Sequence, residues 1–192
     1  MIPCDLYPVL PANFDATVLF DTLPALLAHS EVTALRLPAT HTLDKPQFSR
    51  LLALLHDNDV ALMLDVPDGV STLSADLLKV ADGLHAPSAD SLPPLRKLAG
   101  DDIQIGCLCQ SRDEAMLAGE RGADYIAFAV EHTDMIRWWT SVMELPAVAE
   151  NVQTVEEAAT ATAASADFLA IPLKLDGTDE TLISSLLARL QG

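Results

Sequence analysis

Eight short apolar runs, each followed by a stretch with helical spacing, divide the chain from end to end. The runs are Leu6–Leu10, Val32–Leu37, Val60–Asp65, Gly83–His85, Ile103–Cys109, Tyr125–Val130, Ala147–Ala149 and Phe168–Ile171. Most are bounded by Pro, Gly, Asp or Asn, the pattern of strands buried on both faces. Strands that alternate regularly with helices form a parallel sheet. The stretches between them support this: Asp15–His29 and Gln47–Asp57 carry Leu, Val and Phe at helical spacing. Ser111 with Glu114, and Thr154 with Glu157, read as capping boxes that open two more helices. Arg121-Gly122 reads as a helix end, and Thr178 or Asp179 as the start of the last helix. Pro67–Lys79 and Ser88–Ala99 leave room only for short helices.

Eight such units with no change of composition between halves predict one compact (β/α)8 TIM barrel over residues 1–192. The chain lies near the lower size limit for that fold. A doubly wound open sheet is the alternative, but the loop after the first run reads PANFDA and lacks the glycine-rich turn of that fold. Apolar residues make up 50% of the chain and aromatics 5%, so the core must be aliphatic.

The formal net charge of −17, without any cluster of Lys or Arg, argues against nucleic acid or a membrane surface as partner. Three cysteines, Cys4, Cys107 and Cys109, and an N-terminus without signal-peptide features lead us to expect a reducing, cytoplasmic setting. Side-chain alternation puts Cys107 and Cys109 on one strand face, toward the helices, with Leu108 on the other. The expected partner is a small-molecule ligand, and a homo-oligomer is left open.

Four motifs in sequence order resemble the thiamine phosphate synthase/TenI family. They are VTALRLP (32–38), ADGLHAPSAD (81–90), IGCLCQSRDEAMLAGERGADYIAFAV (105–130) and LPAVAENV (145–152). The resemblance implies the same barrel and, for an active member, a transferase joining hydroxymethylpyrimidine diphosphate to thiazole phosphate with Mg2+ as cofactor. It implies ligand contacts at Arg36, at Thr133 after the sixth strand, and at Glu150-Asn151 where the family has Gly-Gly. It also implies magnesium contacts near Asp65 and at Asp90.

The departures are as informative. Ala34 and Pro38 replace the family's Gln and Lys, Leu108 replaces a Ser, and the glycines whose amides hold phosphate are gone. A carboxylate at position 150 would repel phosphate oxygens by several kcal/mol, on the order of the Coulomb energy at about 4 Å in an intermediate dielectric. The sequence therefore predicts weak or absent synthase activity.

Each candidate also has a plainer reading. Arg36 ends a strand and suits an anion clamp or a structural ion pair. His85 ends a strand where barrel catalytic residues lie, and His132 is the candidate acid or base of the polar run Glu131–Asp134; either could transfer protons or simply be packed or solvated. Asp65 and Asp90 could share a divalent cation, or cap a turn and sit in solvent. Trp138 and Trp139 suit packing on a short helix. A TenI-like isomerase, needing a base rather than a metal, is a variant of the first function; a non-catalytic barrel binding a small molecule or a protein is the alternative.

Overall fold

The computed structural model describes residues 4–191 and contains a closed barrel with strand order 1 to 8. The strands are β1 (Asp5–Val9), β2 (Ala34–Pro38), β3 (Ala61–Asp65), β4 (Gly83–Ala86), β5 (Gln104–Leu108), β6 (Tyr125–Ala129), β7 (Ala147–Glu150) and β8 (Phe168–Pro172). The helices are α1 (Ala16–Leu27), α2 (Lys45–Asp57), α3 (Ala75–Leu78), α4 (Leu92–Ala99), α5 (Arg112–Glu120), α6 (Thr133–Val142), α7 (Val155–Ala163) and α8 (Asp179–Gln191). Every neighbouring pair of strands is parallel, and β8 closes on β1 from Asp5↔Phe168 to Val9↔Pro172. The (β/α)8 barrel expected from the alternation is thus the fold, and the open sheet is not.

Helix starts follow the cap chemistry. The Asp15 carboxylate accepts from the Thr17 and Val18 N–H groups, and Thr154 with Glu157 forms a complete capping box. Asp44 with Gln47 forms another, so α2 begins at Lys45, two residues before the expected start at Gln47. Ser111 caps α5 as expected, but the Glu114 carboxylate reaches back to the Gln110 N–H rather than to the cap residue itself. The two segments expected to hold short helices do so: α3 has 4 residues and α4 has 8.

The N-terminal ends of the strands repeat one device that the sequence reading overlooked. Ala-Asp precedes β4, β6 and β8 as Ala81-Asp82, Ala123-Asp124 and Ala166-Asp167. Each carboxylate accepts the N–H of a residue at the start of the preceding strand: Leu62 to Asp82 (2.7 Å), Ile105 to Asp124 (2.7 Å) and Ala147 to Asp167 (2.8 Å). These charge-assisted bonds pin the strands pairwise at the bottom of the barrel. Before β2 the equivalent residue is Thr33, whose hydroxyl instead donates to Asp5 on β1.

Two cores result. The larger lies between strands and helices and includes Cys107 and Cys109, which face outward as expected. The smaller is the barrel lumen: Tyr7, Met63, Tyr125, Ala127, Val148 and Ala170, with Val9, Ala34, Leu108 and Phe168 against it. The strand register stacks lumen residues in layers. From the bottom these are Ala34/Gly83/Tyr125/Phe168, then Tyr7/Met63/Gly106/Val148, then Arg36/His85/Ala127/Ala170, and finally Val9/Asp65/Leu108/Glu150. Gly83 and Gly106 are the gaps that two large neighbours fill. A Cβ on Gly83 would lie 2.3 Å from the Met63 methyl, and one on Gly106 only 1.8 Å from the Tyr125 ring.

Candidate active site at the barrel mouth

Closure brings β2, β4 and β7 to face one another across the lumen, and inward residues near their carboxyl ends meet. Both terminal nitrogens of Arg36 donate to Glu150, at 2.8 Å to Oε1 and 2.7 Å to Oε2. The two residues are 114 positions apart in sequence and expose 7% and 8% of their surface. This fork-to-fork geometry is the strongest form of ion pair available to side chains. Burial opposes charge on Glu150, but Arg36 overrides it and holds the carboxyl below its usual range. Burial likewise opposes charge on Arg36, and the Glu150 carboxylate outweighs it. The guanidinium also lies 5.2 Å from the centroid of the Tyr7 ring. Its Nε–H is buried and has no hydrogen-bond partner among the described residues.

His85 completes the group from below. Its Nδ1 lies 2.9 Å from the Tyr125 hydroxyl, which in turn lies 3.2 Å from the Tyr7 hydroxyl. Its Nε2 approaches Glu150 at 3.6 Å. Burial, reinforced by Arg36, pushes the imidazole pKa down to about 3. The ring is therefore neutral near pH 7, and its approach to Glu150 is not a second ion pair. Burial pushes both tyrosine hydroxyls well above their usual range, so they too are neutral. The interior of the barrel holds one balanced charge pair above a chain of neutral hydrogen-bonding groups.

Asp65 lies at the edge of this cluster. Burial raises its pKa, Arg36 lowers it and Glu150 raises it, with a net upward result. Asp90 stands apart on an exposed turn, where its carboxylate pairs with Arg121. Among the described residues no group of three or more His, Cys, Asp or Glu is arranged to hold a metal ion.

The other sequence candidates fall outside the cluster. His132 sits in an exposed turn between β6 and α6, and Thr133 is the first residue of α6. Neither contributes a contact to the group formed by Arg36, His85 and Glu150. Asn151 is exposed, and its side chain accepts from Gln153. Its φ of 67° keeps the left-handed backbone that glycine favours and that Asn tolerates better than most residues. Trp139 is buried on α6, against Phe128 and hydrogen-bonded to the Leu145 carbonyl.

The structure replaces one premise of the sequence reading. Glu150 is not a lone repulsive charge: Arg36 neutralises it, and the anion clamp and its opponent cancel each other. Tyr7 and Tyr125 were missed, although they are the only tyrosines in the chain. The signal for Tyr125 was the glycine one strand earlier, Gly106, which is its register partner.

A closed parallel barrel with its charged groups at the carboxyl ends of the strands defines a (β/α)8 protein of the kind that places small-molecule chemistry at that rim. No protein-family model matches the chain. It is 32% identical over 188 residues to a thiamine-phosphate synthase of Rhodospirillum centenum, spanning 89% of this chain and 88% of that protein. A thiamine-phosphate synthase of Erythrobacter litoralis is 36% identical over 137 residues, spanning 63% of this chain and 62% of the other. The chain belongs to the thiamine-phosphate synthase family. Among solved structures, thiamine phosphate pyrophosphorylase from Pyrococcus furiosus has the same fold: TM-score 0.73, 18% identity, 99% of this chain and 96% of that one covered.

Proposed function

We propose that this chain is a barrel of thiamine metabolism that binds a small uncharged precursor at its mouth and has little or no capacity to displace diphosphate. The Arg36–Glu150 pair carries this reading. Catalysis of diphosphate departure needs donors and cations aimed at the charge that develops on the leaving group. Here the mouth arginine already spends both terminal nitrogens on an internal carboxylate. An incoming phosphate would have to displace Glu150 and then meet its charge at close range. At about 4 Å and an effective dielectric near 20 that repulsion is about 4 kcal/mol.

The residues implied for magnesium do not form a cage. Asp90 is taken by Arg121 and 87% of its side chain is exposed, while the environment of Asp65 disfavours its ionised form. Magnesium held by one or two carboxylates completes its shell from water and substrate phosphates. Such a site depends on the anion that Glu150 opposes. No step is therefore assigned to a metal.

What the mouth offers is neutral recognition. The Nε–H of Arg36 is buried without a partner among the described residues, and a ligand hydroxyl or ring nitrogen that reached it would satisfy it. The three buried free thiols suit a reducing, cytoplasmic setting. The described residues include no helix long and apolar enough to cross a membrane.

The test combines turnover and binding. With hydroxymethylpyrimidine diphosphate, thiazole phosphate and Mg2+, turnover should fall at least a hundredfold below that of the Rhodospirillum centenum protein assayed alongside. Calorimetry should detect the unphosphorylated thiazole or pyrimidine alcohol in preference to inorganic pyrophosphate with Mg2+. Comparable turnover, or tighter binding of pyrophosphate, overturns the reading.

A further inference from the structure

The opposite end of the barrel holds a cavity of about 350 Å³ that no part of the mouth reading uses. Its lining includes Asp5, Tyr7, Ala34, Asp124, Tyr125 and Phe168, and it reaches inward as far as Met63. Ala34 contributes almost no volume to the lowest lumen layer. Tyr125 leans upward out of that layer, through the space left at Gly106, to reach His85. The volume is at the small end of the range for small-molecule sites, and such sites combine an apolar body with few polar groups.

The polar groups indicate the ligand. Three aromatic rings, including both tyrosines of the chain, contribute to one small cavity. The faces of such rings attract organic cations, more strongly when desolvated. The two rim carboxylates differ. Asp124 is engaged by Arg96 and by the Ile105 N–H. Among the described residues Asp5 receives one side-chain hydrogen bond, from the Thr33 hydroxyl at 3.2 Å. Asp5 is where the strand-pinning device changes: among the described residues its carboxylate accepts no strand N–H, and it lines the cavity. The Arg36 charge near Tyr7 is cancelled by Glu150 and does not oppose a cation. A net charge of −17 favours its approach.

We infer that the N-terminal end of the barrel is a second binding site, for a small organic ammonium ion with an apolar or aromatic body, its charge at Asp5 and its body against Tyr7, Tyr125 and Phe168. This site stands independently of what binds at the mouth.

Calorimetry at pH 7 with benzylamine tests it, with benzyl alcohol and benzoate as neutral and anionic counterparts. Benzylamine should bind with a millimolar or tighter Kd, benzyl alcohol about fivefold more weakly, as removal of one partly exposed ion pair allows, and benzoate not measurably. Asp5→Asn should weaken benzylamine by a similar factor and leave benzyl alcohol unchanged. Ala34→Leu should fill the cavity and abolish both; Asp5→Asn, which alters no core volume, keeps the test decisive if the leucine variant misfolds. Absence of heat with millimolar benzylamine, or binding unaffected by Asp5→Asn, overturns the proposal.

Discussion

Arg36 of β2 and Glu150 of β7 reach across the barrel lumen and join through two parallel hydrogen bonds, each buried partner neutralising the other. Removing one partner of such a pair leaves an uncompensated buried charge and costs about 3–5 kcal/mol. Glu150→Gln should lose stability on that scale in urea denaturation. Inorganic pyrophosphate should restore part of the loss by occupying the freed guanidinium. The double variant Arg36→Met/Glu150→Leu should lie within about 1–2 kcal/mol of the parent, since apolar replacement of a buried pair is often nearly neutral. Equal losses in the single and double variants would show that the pair matters for its shape rather than its charge.

Acid should destabilise the protein early through His85. Its folded-state pKa is about 3, below the 6.5 of an unperturbed imidazole. Between these values the unfolded chain binds a proton that the folded chain refuses, so stability falls as pH drops. The slope approaches about 1.4 kcal/mol per pH unit for one proton. Glu150, whose pKa is lowered in the fold, adds a loss of the same sign at more acid pH. Urea midpoints from pH 7 to 4 should therefore decline in the parent and less steeply in His85→Gln. Parallel curves for the two proteins would remove His85 from the account.

The aspartates below the strands should prove costly to lose despite their position near the surface. Asp167 accepts the Ala147 N–H at 2.8 Å, and Asp167→Ala would leave a strand amide unpaired. A loss of about 1–3 kcal/mol is expected, visible as a lowered Tm. Hydrogen exchange should show faster exchange at the Ala147 amide, with the β2–β3 amides unchanged.

Gly106→Ala should be among the most damaging small substitutions. The new methyl would overlap the Tyr125 ring at 1.8 Å and force it from the position that bonds His85. Overpacking of this kind costs about 1–3 kcal/mol or more. Pairing it with Tyr125→Leu should recover part of the loss by removing the ring, although the bond to His85 Nδ1 goes with it. A double variant no more stable than Gly106→Ala alone would locate the damage elsewhere.

Much of the fold could be read from the chain because strand burial and helix amphipathicity are local patterns. The eight runs marked the eight strands to within one or two residues. The largest offset fell at β2, where Val32 and Thr33 belong to the approach rather than to the strand. The Thr154 cap and the short α3 and α4 were likewise legible. Arg36, His85 and Glu150 could be picked out one by one as strand-end residues. Their relationship could not, because sequence does not say which of eight strands face one another once the ring closes. The two tyrosines were hidden for a different reason: an aromatic residue in a strand reads as filler unless its glycine counterpart is paired with it.

The turn at Asn151 has a final consequence. With φ at 67°, the main chain beyond β7 already follows a path that glycine adopts without strain. Glycine at 151 would ask for no rerouting of the main chain there, and glycine at 150 would release the buried Arg36 guanidinium from its internal partner. The backbone path and one cation suited to an anion-binding rim are both in place, with the cation tethered from within.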